Sequence, residues 1–181
     1  MYESFLIAGF GGQGLMFSGK LLAYAGLREG KKVTYFPSYG AEMRGGTANC
    51  TVIISDSPIS SPIVFHPLNA IIMSQPSVKK FFPRIAKQGK VVVNTSLIKG
   101  EFKRKDLDII KIPANEIAEK IGELRIANMV TLGALIKKLG ILSLETVVES
   151  LKEVISKDRM YLLSLNERAL REGEKFVARI S

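Results

Sequence analysis

The sequence is poor in the side chains that most often bind metals. It contains one cysteine, Cys50, and one histidine, His66, among 181 residues. A single cysteine excludes an internal disulfide, a Cys-x-x-Cys redox pair and an iron–sulfur cluster held by cysteines of this chain alone. The usual zinc ligand sets cannot be assembled either. We therefore predict that the chain binds no metal and that any electron carrier lies on another polypeptide.

Long hydrophobic runs are also missing. The longest ones, such as 70–73 and 91–93, fall far short of the ~20 apolar residues that cross a bilayer. Residues 1–4 carry no basic segment or small-residue cleavage site, so export is not expected. These features predict a cytoplasmic protein without a membrane partner.

Charge of one sign dominates without forming a block. The chain has 26 Lys+Arg against 17 Asp+Glu, a net charge of +9, and its 46% hydrophobic and 24% charged residues are close to the globular average. The basic residues are scattered, and no aromatic residues alternate with them to stack on bases. We therefore predict no nucleic-acid binding; phosphorylated ligands and acidic proteins remain candidate partners of the basic surface.

Hydrophobic patterning predicts alternating strands and helices. Short apolar or β-branched runs indicate strands, and longer 3.6-residue periods indicate helices. The expected strands are 4–9, 32–36, 47–55, 69–74, 90–95 and 108–113, with an extended piece at 63–65; the expected helices are 14–29, 76–88 with a break at Pro83, 129–139, 144–155 and 162–176. This order predicts one domain, 1–181, with a three-layer α/β/α fold, a mostly parallel sheet and a helical C-terminal third.

A glycine-rich turn separates the first strand from the first helix. Gly9-Phe10-Gly11-Gly12-Gln13-Gly14 matches G-x-G-x-x-G in the strand–turn–helix context of dinucleotide-binding proteins. The following helix N-terminus would favour an anion. The acidic residue that grips a ribose in NAD sites is missing from Tyr35–Ser38, which weakens that assignment. A purely structural role, close packing of strand and helix, stays an alternative.

The same region also fits the phosphate-binding loop of nucleotide hydrolases. Gly14 to Lys20 matches G-x-x-x-x-G-K, but Leu21 replaces the Ser/Thr that would hold Mg²⁺. Residues 15–17 are expected to be helical, and no strand-end Asp is available. Nucleotide hydrolysis is therefore not expected.

A second loop follows the second strand and carries several polar side chains. It contains Tyr39, Glu42 and Arg44, followed by Gly45 and Gly46. Arg44 can hold a carboxylate or phosphate bidentately, and Glu42 can orient the ligand. The alternative is an internal Glu–Arg pair that fixes the loop or contacts a subunit.

Three stretches resemble the gamma subunit, or equivalent domain, of the 2-oxoacid:ferredoxin oxidoreductases. They are GFGGQG at 9–14 with GKLLA behind it, YGAEMRGGTANC at 39–50, and NMVTLGA at 128–134. The stretches occur in family order from the start of the chain to its helical third, and the middle one is the most specific. Its form resembles the 2-oxoglutarate type, while branched-chain and pyruvate enzymes stay open.

The resemblance implies CoA-dependent oxidative decarboxylation of a 2-oxoacid with electrons passed to ferredoxin. In this family thiamine diphosphate lies mainly between alpha and beta subunits, and iron–sulfur clusters belong to beta or delta chains. The gamma chain would therefore hold no cofactor alone, would be inactive alone, and would support the assembly at the CoA-facing side. The residues expected beside that ligand are Gly9, Gly11, Gly12, Gln13, Gly14, Tyr39, Glu42, Arg44, Gly45, Gly46 and Asn128. Helix capping is the alternative role of Asn128.

Two other functions fit the residues alone. One is a stand-alone dinucleotide-binding oxidoreductase, which predicts NAD(P)H binding. The other is an anion-binding interaction module, which predicts phosphate-ligand binding without a redox partner. An accessory subunit differs from both because it predicts association with alpha and beta chains and no turnover alone.

Overall fold

The computed structural model describes residues 1–38 and 47–180 and contains a six-stranded sheet. The strands are β1 (Tyr2–Phe10), β2 (Lys32–Ser38), β3 (Thr47–Ser55), β4 (Asn69–Ile72), β5 (Lys90–Asn94) and β6 (Asp108–Ile112). Their order in the sheet is β2-β3-β1-β4-β5-β6. The six strands expected from the sequence are thus all present, whereas the expected extended piece at 63–65 forms no strand.

Helices follow the strands and fill the C-terminal third. They are α1 (Leu15–Arg28), α2 (Gln75–Phe81), α3 (Ala114–Ile121), α4 (Ala127–Leu139), α5 (Leu144–Val154) and α6 (Leu163–Ile180). Three 3₁₀ segments lie at Phe82–Arg84, Leu124–Ile126 and Lys157–Leu162. The expected break at Pro83 is confirmed, because α2 ends at Phe81 and the chain continues as a 3₁₀ segment. This is the usual effect of a proline that lacks the N–H needed to continue a helix.

The sheet is mostly parallel with one reversed strand. Strands β1, β4, β5 and β6 pair in parallel, whereas β3 pairs antiparallel with both β1 and β2. The strand β2 therefore runs in the direction of β1 but is separated from it by β3. Five strands consequently end at the same edge of the sheet, where Phe10 lies opposite Thr47.

The two faces of the sheet are covered unequally. Alternate residues of β1 point to opposite sides, with Phe5 and Ile7 in a large core formed with α1 and α3–α6. Leu6 and Ala8 belong to a smaller core under α2 and the segment that contains Ile98. The expected α/β/α sandwich is confirmed, with a thick helical layer on one face and a thin layer on the other.

Helices α4 and α6 cross with their backbones in contact. A Cβ atom on Gly133 would overlap the carbonyl oxygen of Leu170, and one on Gly173 would overlap the carbonyl oxygen of Val130. Glycine is therefore required at both positions for the helices to approach this closely. This crossing fixes the position of the C-terminal helical layer.

The residues that we did not assign to a site have ordinary structural surroundings. Cys50 is fully buried, its Sγ lies 3.4 Å from the Leu15 carbonyl oxygen, and burial raises the pKa of its thiol to about 12. His66 is exposed, and its Nδ1 lies 3.1 Å from the Arg84 carbonyl oxygen.

Among residues 1–38 and 47–180, no helix is long and apolar enough to traverse a lipid bilayer.

Candidate functional site

The glycine-rich turn lies at the sheet edge where the parallel strands end. Gly11 and Gly12 are exposed, and a Cβ atom at either position would meet nothing within 4 Å. Gly12 and Gly14 have φ angles of 89° and 72°, which favour glycine. In contrast, a Cβ on Gly9 would lie 2.8 Å from Cβ of Met73. The turn therefore combines a packing glycine with two glycines whose backbone is open to a ligand.

The side chain of Gln13 holds this turn in place. Its Oε1 accepts a hydrogen bond from the Phe10 N–H at 2.7 Å, and its Nε2 donates to the Met73 carbonyl oxygen at 3.1 Å. These bonds connect the end of β1 with the residue that follows β4. These bonds give the Gln13 side chain a structural role in the shape of the turn.

Asn128 connects the turn to the helical layer. It is 5% exposed, and its Nδ2 donates to the Gly14 carbonyl oxygen at 2.9 Å and to Ser18 Oγ at 3.0 Å. The helix α4 begins at Ala127 and has no side-chain cap, so the capping role considered for Asn128 is wrong. The contacts with Gly14 and Ser18 take both amide hydrogens and leave Oδ1 as an acceptor.

Two clefts open on either side of Gly12, Arg125 and Asn128, which line both. The outer cleft has a volume of about 260 Å³ and lies between the start of α1 and the 3₁₀ segment that precedes α6. Its further lining includes Phe17, Ile126, Val154, Arg159, Leu162 and Asn166. The inner cleft has a volume of about 200 Å³ and extends toward Gln13, Met73 and Asn115. The glycine-rich turn thus forms part of a concave, mixed polar and apolar surface.

Arg125 is a functional candidate that the sequence analysis did not identify. Its backbone N–H, Nε and Nη2 bond to the Glu123 carboxylate at 3.1, 2.9 and 2.7 Å. Hydrogen bonds from the Arg125 side chain and backbone lower the pKa of Glu123 to about 2, and the pair raises the pKa of Arg125. The sequence signal that could have identified Arg125 is a basic residue between the glycine that ends α3 and the start of the next helix. That glycine, Gly122, has a left-handed conformation.

The Glu123–Arg125 pair predicts a pH dependence of stability. A depressed carboxyl pKa means that Glu123 contributes stability above its unfolded value of 4.5, and this contribution is lost as the pH falls toward about 2. We expect the Tm difference between wild type and Glu123→Gln to be positive at pH 6 and to shrink between about pH 4.5 and 2. Differential scanning fluorimetry across this range measures it. A Tm difference between wild type and Glu123→Gln that stays constant across this range would contradict the prediction.

The outer cleft is also lined by a second cation, Arg159, from the 3₁₀ segment that precedes α6. Arg159 is 71% exposed, and its Nε lies 3.7 Å from the Asp158 carboxylate, which is a long and exposed ion pair. The first turn of α1 has no acidic residue to offset its positive end. An anion in the cleft would therefore meet two guanidinium groups and a helix N-terminus.

The polar loop of the second motif lies outside the described residues. Tyr39, Glu42, Arg44, Gly45 and Gly46 are therefore not placed, and their roles stay predictions. The flanking residues Ser38 and Thr47 are at the same sheet edge as the glycine-rich turn, because Thr47 pairs with Phe10 and Ser38 with Asn49.

The geometry does not favour the two nucleotide motifs considered above. Residues 15–17 begin α1, as expected, and Lys20 Nζ lies 5.7 Å from the Tyr24 ring centroid on the next turn of this helix. β2 contains no carboxylate, and the Tyr35 hydroxyl donates to the Met16 carbonyl oxygen at 3.2 Å. β3 also separates β1 from β2, whereas a standard dinucleotide fold places these two strands side by side.

Residues 4–176 match the model of the family described as pyruvate ferredoxin/flavodoxin oxidoreductase. The chain belongs to this family. The match contains the glycine-rich turn, Arg125, Asn128 and both clefts, so the site described above lies within the family domain. The resemblance inferred from the three sequence motifs is confirmed.

Two relatives and one solved structure illustrate the similarity. The ketoisovalerate oxidoreductase subunit VorA of Methanothermobacter thermautotrophicus is 35% identical over 173 residues, which are 94% of this chain and 35% of VorA. The chain therefore spans only about a third of that relative. The 2-oxoglutarate synthase subunit KorC of Methanocaldococcus jannaschii is 34% identical over 160 residues, which are 87% of this chain and 86% of KorC.

The solved structure is a 2-oxoglutarate:ferredoxin oxidoreductase from Magnetococcus marinus, with 2-oxoglutarate, coenzyme A and succinyl-CoA bound. It has a TM-score of 0.89 at 24% identity, and the match covers 99% of this chain and 32% of that one. At this identity the likeness shows the fold alone. The family domain thus occurs both as a chain of this length and as part of a longer polypeptide.

Proposed function

We propose that the chain is the gamma subunit of a 2-oxoacid:ferredoxin oxidoreductase, with residues 1–181 forming one domain. It supports CoA-dependent oxidative decarboxylation of a 2-oxoacid, with 2-oxoglutarate as the first substrate to test, and the electrons pass to ferredoxin. The observation that carries this proposal is the alignment over nearly the whole of KorC, a subunit of similar length. VorA and the common gamma subunit of the pyruvate and ketoisovalerate enzymes make the branched-chain and pyruvate substrates the alternatives.

The work is divided between this chain and its partners. Alpha and beta subunits, with a delta subunit in some assemblies, hold thiamine diphosphate and the iron–sulfur clusters, and CoA enters as a substrate. Among the described residues no group of three His, Cys, Asp or Glu side chains is arranged to hold a metal. The chain contributes one wall of the CoA-facing cleft, so it is not active alone.

The site residues have separate roles in this proposal. The backbone of Gly11, Gly12 and Gly14 faces the ligand at the start of α1, and Asn128 holds the turn against α4. Arg44 and Glu42 are proposed as polar contacts from the loop between β2 and β3. This arrangement uses preorganised N–H groups and a helix N-terminus to bind a phosphorylated substrate.

Reconstitution tests the proposed function. The complex is co-purified from the native host, the chain is removed or omitted during assembly, and 2-oxoacid-dependent reduction of ferredoxin is measured with 2-oxoglutarate, 2-oxoisovalerate and pyruvate. Because the chain positions the acyl acceptor, we expect CoA-dependent reduction to fall by about 100-fold without it and to return when it is added. The chain alone should reduce nothing.

Two results would contradict the proposal. One is a host oxidoreductase that purifies without this chain and turns over at the full rate. The other is 2-oxoacid oxidation by the purified chain alone. The substrate comparison then identifies the 2-oxoacid, because the rate with the cognate substrate should exceed the other two.

A further inference from the structure

Positive charge is concentrated in one part of the fold. Residues 75–111 contain ten of the 26 Lys and Arg residues but only three of the 17 Asp and Glu residues, so this segment carries seven of the nine net positive charges. It includes α2, the 3₁₀ segment Phe82–Arg84, β5 and the connection to β6. The thin layer on one face of the sheet is therefore basic, whereas the rest of the chain has an excess of only two positive charges.

Three segments of this layer meet at the edge of the sheet where β4, β5 and β6 begin. The Ala86 N–H donates to the Pro67 carbonyl oxygen at 3.0 Å, and the Gln88 N–H donates to the Asp106 carbonyl oxygen at 3.1 Å. The glycine-rich turn follows the end of β1 and lies at the opposite edge. The five residues of β5 separate the two edges by roughly 16 Å. A surface at this edge is consequently distinct from both clefts.

The cations at this edge include three lysines without ion pairs. Lys87, Lys103 and Lys105 are exposed, and none of them forms an ion pair within the part of the chain that the structure describes. Asp106 is held by Arg104, whose Nε and Nη2 lie 2.6 and 2.5 Å from its carboxylate oxygens. These hydrogen bonds lower the pKa of Asp106, and Lys87 makes a smaller contribution. The three ammonium groups are thus available to carboxylates of a partner.

Two exposed apolar side chains lie on the loop beside these cations. Ile63 and Phe65 are 56% and 71% exposed. Val64 between them is buried, and its carbonyl oxygen accepts a hydrogen bond from Arg84 Nη2 at 3.3 Å. The Nδ1 of His66 lies 3.1 Å from the Arg84 carbonyl oxygen. These contacts hold the loop against the 3₁₀ segment, so Phe65 is presented in a defined orientation.

A protein is the partner class that fits this combination. Protein interfaces commonly use a fixed aromatic side chain that enters a pocket, with complementary charges around it. Nucleic acids favour arginines and several stacked aromatics, but Arg84 and Arg104 are already bonded to protein acceptors and Phe65 is a single ring. An anionic bilayer attracts flexible polybasic segments and requires no fixed orientation of an apolar side chain.

The lysine content indicates a reversible contact. Permanent subunit interfaces are more apolar, and lysine is depleted in their cores. A lysine ammonium group is strongly hydrated, and salt screens its interactions at an exposed site. Three lysines around two apolar side chains therefore favour an interaction that forms quickly and weakens with salt.

We propose that the surface formed by Ile63, Phe65, Lys87, Lys103 and Lys105 reversibly docks an acidic protein. Phe65 enters an apolar site on the partner, and the three lysines contact carboxylates around that site. The proposal uses neither cleft, so it stands independently of the proposed function.

Fluorescence anisotropy of labelled poly-L-glutamate tests the charge component with the full chain. We expect binding at about 50 mM NaCl that is lost by about 500 mM. Combined substitution of Lys87, Lys103 and Lys105 with Gln should weaken binding by about tenfold, because three contacts to carboxylates are lost. The matched control changes three exposed lysines of the helical layer to Gln, which removes the same charge and should weaken binding by less than about twofold. These control positions are Lys120, Lys137 and Lys152.

Two outcomes of this titration would overturn the proposal. One is an equal loss of affinity in both triple variants, because the binding would then follow net charge rather than this surface. The other is tighter binding of poly-U RNA or phosphatidylserine vesicles than of poly-L-glutamate, with the same sensitivity to the first triple substitution. That result would assign the surface to a nucleic acid or a membrane.

Carbodiimide cross-linking in the native host tests the docking itself. The reagent joins a lysine amine to a carboxylate in contact with it through an amide bond, and the carbodiimide takes up the released water to become a urea. We expect mass spectrometry to find Lys87, Lys103 or Lys105 joined to Asp or Glu residues of one host protein. Phe65→Ala retains all three lysines and should lower the yield by about tenfold. Its thermal unfolding should match wild type, because the side chain is 71% exposed.

Three cross-linking results would overturn the proposal. They are the absence of cross-links from these lysines, a yield that Phe65→Ala leaves unchanged, and cross-links that persist at about 500 mM NaCl, which would indicate a permanent subunit contact. The reconstitution experiment measures ferredoxin reduction without reference to this surface. Failure of the docking surface is therefore distinguishable from failure of the proposed function.

Discussion

Replacing Gly133 with alanine should destabilise the protein by about 3 kcal/mol, although alanine is the better helix former. The added Cβ would overlap the Leu170 carbonyl oxygen and lie 2.7 Å from its carbonyl carbon. These are backbone atoms of α6, so no rotamer change can relieve the overlap. Gains in helix propensity of about 1 kcal/mol are too small to compensate. Thermal unfolding should show a decrease in Tm of about 6–12 °C.

The matched control for this substitution is Gly11→Ala. Its Cβ would meet nothing within 4 Å, and Gly11 does not have a positive φ angle. We expect its stability to remain within about 0.5 kcal/mol of wild type. A Gly133→Ala variant that unfolds at the wild-type temperature would show that α4 and α6 do not cross at this distance.

Substituting Asn128 with aspartate should reduce the free energy of unfolding by about 3 kcal/mol at pH 7. The change conserves the shape but removes the two N–H donors that bond to the Gly14 carbonyl oxygen and Ser18 Oγ. It also places a carboxylate oxygen next to the Gly14 carbonyl oxygen, at a position that is only 5% exposed. Urea denaturation monitored by circular dichroism measures the loss.

The matched control is Asn115→Asp, which makes the same chemical change at a position where a carboxylate keeps the existing hydrogen bond. The Oδ1 of Asn115 accepts from Asn94 Nδ2 at 2.8 Å, and a carboxylate retains this acceptor. Asn115 also lies at the start of α3, where a negative charge is favourable. The control should therefore unfold within about 0.5 kcal/mol of wild type. Equal denaturation midpoints for both variants would contradict the role assigned to Asn128.

Much of the element pattern could be predicted because it depends on local chemistry. Strand β3 was expected at 47–55 and is found at Thr47–Ser55, since a β-branched run between a glycine pair and an aspartate has few alternatives. Helix α5 was expected at 144–155 and ends at Val154. The reversal of β3 was not predicted, because it depends on which strands pair across the sheet rather than on any single segment.

The candidate site was predictable only in part for the same reason. The glycine-rich turn was identified because its chemistry is contiguous in the chain. Arg125, Arg159 and Asn166 join it because two 3₁₀ segments and α6 line the same cleft as the start of α1, and no local pattern encodes that arrangement. Asn128 was assigned to the site, but its bond to Gly14 connects residues 114 positions apart, so the capping role could not be dismissed from the sequence.

The order of the sheet also constrains how the chain can fold while it is being synthesised. β2 has no ladder with β1 and reaches the sheet only through β3. The segment from Tyr2 to Ser38 therefore supplies β1, α1 and β2, but β1 and β2 do not pair with each other and β2 has no partner until β3 has been synthesised. Translation at about 5–20 residues per second delays the first complete ladder by roughly one to three seconds, until Ser55 has emerged. We expect the edge of β1 that pairs with β3 to stay unpaired during that interval.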